Sequence, residues 1–148
     1  MKDLNIRERK NIRDTWKVLA PNIHEFAFSF YSNLHSLDSS LVPLFENEFG
    51  IIKQGDKALY VLGFVVASLD NLMVAREGIK KALEGVFMEH QHIKRADEQK
   101  VMKAFLQAMK STLRGVWTNE IAISWYRLLS LISAVSIGTK IEFEIPVI

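Results

Sequence analysis

The chain has 148 residues, 49% of them hydrophobic, no cysteine and a formal net charge of +2. That length and apolar content suit one domain with a sizeable core. The lack of cysteine excludes a disulfide framework, a thiolate metal site, an iron–sulfur cluster and a cysteine nucleophile, and the dispersal of Lys and Arg among Asp and Glu argues against nucleic acid as a partner.

Apolar residues recur at spacings of three and four nearly throughout, and only Pro21, Pro43 and Pro146 interrupt them, which predicts an all-α fold. Residues 5–20 read as an amphipathic helix turning Ile12, Trp16 and Leu19 inward. Pro21 sits where a second helix begins, with Ile23, Phe26, Ala27, Phe30 and Leu34 facing the core. Asp38 or Ser39 caps a short turn in "DSSLVPLF", and "ENEFG" leads into a long helix from about Ile51 to Leu72. After a break near Asn71, a fourth helix carries "KKALEGVFMEHQH". A fifth runs to Arg114 with Gly115 as its stop, and Thr118 caps a last helix to about Lys140. The tail "KIEFEIPVI" is left extended. The domain is expected to span 1–148, with tails at 1–4 and 141–148.

The amino terminus "MKDLNIRERKNIRDTW" lacks the apolar run of a signal peptide, and the longest apolar run, "LLSLISAVSIG", is too short to cross a bilayer. A cytoplasmic protein with no membrane partner is the expectation. No repeat of fixed period appears, which disfavours a solenoid.

Two histidines end the fourth helix. Positions two apart lie roughly 200° around a helix axis, so His90 and His92 cannot serve one metal from one face. Phe87, Val86, Leu83 and Ile79 precede His90 at helical spacings, whereas the same offsets from His92 reach Glu89, Met88, Gly85 and Lys81. His90 is therefore the inward histidine. Taken alone, it reads as a core histidine bonded to a backbone carbonyl rather than as a ligand.

The succession of segments over roughly 4–138 resembles a globin, in particular the single-domain bacterial haemoglobins and, more distantly, neuroglobin-like and flavohaemoglobin globin domains. The stretches that carry it are "DTWKVLAPN", "FAFSFYSNLHSLDSSLVPLF", "KQGDKALYVLGFVVASLDNL" and "VWTNEIAISW". The resemblance implies a globin fold holding haem b (iron protoporphyrin IX), with His90 as the iron ligand and Phe45 on the haem face. It also implies Tyr31 and Gln54 on the gas-binding side, Lys57 within reach of a propionate, and Ala58 and Val101 against the haem and its ligand. Counted back from Trp117 without gaps, the ligand position falls on Met88, so His90 requires a connection two residues shorter than usual. The positions that contact the proximal histidine in flavohaemoglobins fall here on Glu98 and Lys140. Glu98 is expected to be an exposed carboxylate complementing the dipole of a helix start.

The expected function is reversible binding of a diatomic gas, O2 with NO or CO as alternatives, for oxygen binding, sensing or NO detoxification. Two other functions fit the same residues. One is a haem-free globin-fold sensor or interaction domain. The other is a nitric oxide dioxygenase or nitrite reductase working with a separate reductase.

Overall fold

A computed structural model of the protein describes residues 3–44, 50–84 and 95–137, with side chains over 3–42, 55–81 and 97–133. Helix α1 (Ile6–Leu19) starts on a capping box in which the Asn5 side chain accepts from the Glu8 backbone and the Glu8 carboxylate accepts from the Asn5 backbone. Two of the orphan donors that any helix start leaves are satisfied in this way. Pro21 opens no long helix directly. It lies in a tight 3₁₀ turn, Ala20–Asn22, and α2 (Ile23–Asp38) follows with its five predicted inward residues all buried.

Asp38 accepts from both the backbone and the hydroxyl of Ser40, and a 3₁₀ segment, Ser39–Leu44, leads away from α2. Helix α3 spans Gly50–Ala67 and stops five residues before the expected Leu72. The Ser68 hydroxyl donates to the Phe64 carbonyl at 2.8 Å while its backbone N–H is shared between Phe64 and Val65. The 3₁₀ turn Leu69–Asn71 follows.

Helix α4 (Arg76–Glu84) and helix α5 (Arg95–Leu113) follow. The stop after α5 is not where glycine was expected to supply it: Arg114, at φ 51°, takes the left-handed conformation. The Thr118 hydroxyl then accepts from the Ile121 N–H at 3.2 Å, opening α6 (Asn119–Ile137) as expected.

Helix α2 packs on α5 and α3, α1 on α6, and α4 on α6 and α3. Side chains from all six helices join one apolar cluster. Leu4, placed by sequence in an amino-terminal tail, is only 3% exposed and belongs to it. Among the described residues there is no strand, and no helix is long and apolar enough to cross a membrane. The tail 141–148 lies outside the described residues.

Candidate functional site

The inward stripe of α5 is unusual in its first half. Exposed Gln99, Lys103, Lys110 and Ser111 define one side of this helix, and Met102, Ala104, Leu106, Ala108 and Met109 are buried on the other. Glu98, Val101 and Phe105, spaced three and four apart, fall at the centre of the buried side. All three are nevertheless only half-buried. On a helix packed against solid protein the centre of the stripe is the most enclosed part, whereas these three side chains keep partial exposure there.

The same signature recurs on the neighbouring helices. Ala58 lies on the α3 stripe that carries buried Val61, Leu62 and Val65. Leu129 and Ile132 lie on the α6 stripe that carries buried Trp125 and Leu128. All three are half-buried and pack against the core cluster. Tyr31 stands on the flank of α2 that faces α3, half-buried, with its ring 5.8 Å from Phe30. Phe30 in turn meets Phe105 at 6.2 Å, edge to face, and Phe26 meets Phe105 at 4.9 Å. These aromatic contacts fix Tyr31 relative to the α5 stripe.

Three of the residues singled out by sequence, Tyr31, Ala58 and Val101, therefore border the same apolar core from three helices. Lys57, also half-buried, sits one position before Ala58 on the edge of the α3 stripe. Gln54 lies in the first turns of α3, four residues before Ala58, and its side chain is outside the described residues. Phe45, His90 and His92 lie outside the described residues altogether. Of the stripe leading to His90, Ile79 is buried, and the side chains of Leu83, Val86 and Phe87 are outside the described residues.

Glu98 departs from expectation. It is not an exposed helix-start carboxylate: the residue is half-buried and its Oε2 is buried. Asp97 and Glu98 both stand in the first turn of α5, and Asp97 faces Lys100 at 3.8 Å. Phe105, Leu129 and Ile132 were missed at the sequence level, although Phe105 stands one helical turn beyond Val101. That spacing marks the inward stripe; the openness of its centre is a tertiary property with no sequence signal.

Among the described residues no group of three or more His, Asp or Glu side chains stands together as a metal site. Half-buried aliphatic and aromatic side chains thus stand on the inward stripes of four helices, with half-buried Lys57 beside Ala58 on α3. No protein-family model matches the chain, and no curated protein matches its sequence.

Proposed function

We propose that the protein is a cytoplasmic haem-binding globin that reversibly binds O2, with NO and CO as further ligands. One observation carries this reading: the inward stripes of α2, α3, α5 and α6 are half-open at Tyr31, Ala58, Val101, Phe105, Leu129 and Ile132 while residues around them are closed. A planar apolar group between helices accounts for side chains that face the core and still expose area. The pairing of α2 with α3 and α5, and of α1 with α6, is compatible with the globin arrangement that the sequence resembles.

In this reading His90 holds the haem iron, Phe45 and Val101 pack on the macrocycle, Lys57 meets a propionate, and Tyr31 and Gln54 offer hydrogen bonds to the gas. Haem, when bound, supplies an iron centre with affinity for diatomic gases. The protein's own contribution is burial, one imidazole, and polar groups placed in an apolar enclosure where a hydrogen bond is stronger than in water.

The test is an absorbance spectrum of the purified protein, repeated after addition of haem and of CO. A strong Soret band that shifts with CO is the expected result. His90→Ala should lose it, and His92→Ala should keep it. Loss of the band in His92→Ala instead would overturn the assignment of the iron ligand. A protein that stays colourless with added haem would replace this reading with a haem-free sensor or interaction domain.

A further inference from the structure

Val74 is 85% exposed and its neighbour Met73 65%, in the short connection between the 3₁₀ turn Leu69–Asn71 and α4. Their backbone continues into α4 in helical fashion: Ala75 bonds to Asn71, Arg76 to Met73 and Ile79 to Ala75. Helical spacing therefore stacks the outer side chains in two rows, Met73 with Arg76 and Lys80, and Val74 with Glu77 and Lys81. Ile79 is buried on the opposite side and anchors the segment to the core.

Arg76, Lys80 and Lys81 are exposed, and among the described residues none of them has an ion-pair partner. The arginines of α1 and α6 differ, each being engaged by a carboxylate. The nearby Asp70 does not offset the three cations, because Arg13 at 2.8 Å and Arg9 at 3.4 Å neutralise it. Up to Lys81, Glu77 is the one acid in the two rows, and Glu84 ends α4 at the next position in register.

We propose that this surface, Met73 and Val74 flanked by Arg76, Lys80 and Lys81, docks reversibly on an anionic lipid bilayer. Two protruding apolar side chains are far too little for a stable protein–protein contact, which buries about 1,000 Å² or more with good shape match. A fluid lipid interface needs no such match. It accepts a protruding apolar tip among its headgroups, and each flanking cation strengthens binding to an anionic leaflet by about fivefold. Lying on a membrane in this way is physically separate from crossing it, and requires no long apolar helix.

The full-length protein can be sedimented with vesicles of phosphatidylcholine alone and of phosphatidylcholine mixed with phosphatidylglycerol, at low and at high salt. The expected result is binding to the mixed vesicles only, fading as salt screens the cations. Val74→Asp and Lys80→Glu should each weaken binding by about tenfold or more, with the melting temperature unchanged because both side chains are exposed. Absence of binding at low salt, equal binding to neutral vesicles, or undiminished binding by both variants would each overturn the proposal. Capture by soluble polyglutamate without vesicle binding would also overturn it, in favour of an acidic protein partner.

Discussion

The indole N–H of Trp125 on α6 donates to the Thr15 hydroxyl on α1 at 2.8 Å, and both residues are fully buried. The Thr15 hydroxyl in turn donates to the Asn11 carbonyl at 2.7 Å. The one polar group of the largest buried side chain is thereby satisfied inside the core, and the two helices are cross-linked.

Thr15→Val keeps the volume and removes the acceptor, leaving a buried indole N–H without a partner. The expected cost is about 1–3 kcal/mol, a fall in Tm of roughly 3–10 °C. A double-mutant cycle by urea unfolding checks it. Trp125→Phe should cost less in the Thr15→Val background than in the wild type, because no N–H remains to be stranded. Strict additivity would show that the bond contributes nothing.

Acid should weaken the tie between α2 and α5. The Ser40 hydroxyl, the Lys100 ammonium at 2.9 Å and the Ser40 backbone N–H together lower the Asp38 pKa to about 2. A carboxylate with a depressed folded-state pKa stabilises the fold above its ordinary value, near 3.9, and loses that contribution as pH falls toward the folded value. The Tm difference between wild type and Asp38→Asn should be largest near neutrality and should close between about pH 4 and pH 2. A constant difference across that window would mean that Asp38 acts through packing alone.

Arg114 pairs its left-handed backbone, φ 51°, with an exposed ion pair to Glu25 at 3.2 Å. A non-glycine residue in this conformation costs about 1–2 kcal/mol, more than an exposed ion pair returns. Arg114→Gly should therefore stabilise the protein by about 0.5–1 kcal/mol, measured by thermal or urea unfolding. A loss of stability would assign the larger role to the Glu25 contact. Glu25→Gln, which removes only the contact, separates the two contributions.

Under the haem reading, Tyr31→Phe isolates one hydroxyl. O2 held in the site draws partial negative charge, and a hydrogen bond to it in an apolar enclosure is worth on the order of 1.5–3 kcal/mol. O2 release should accelerate roughly ten- to a hundredfold. CO, which draws less charge, should respond much less. Stopped-flow release of the two gases decides it, and equal acceleration of both would place the Tyr31 hydroxyl away from the ligand.

The all-α class was legible in the sequence because apolar spacing reports which side of each helix is buried. Ile12, Leu19, Ile23, Phe26, Phe30 and Leu34 are buried as their spacing required. The Thr118 cap and the Asp38 turn were legible because caps are local chemistry. Three features were not legible in this way. Helix α3 ends at Ala67, five residues short of the Leu72 that its apolar spacing suggested. Arg114 takes the left-handed turn although a glycine follows it. Periodicity shows that Val101 and Phe105 face inward, but how enclosed they are depends on what the other helices bring opposite them. For the same reason Glu98, read from its position in the chain as a solvated helix start, is half-buried with a carboxylate oxygen inside the protein. A single chain position specifies direction around its own helix axis; the space in front of a side chain is a property of at least two helices at once.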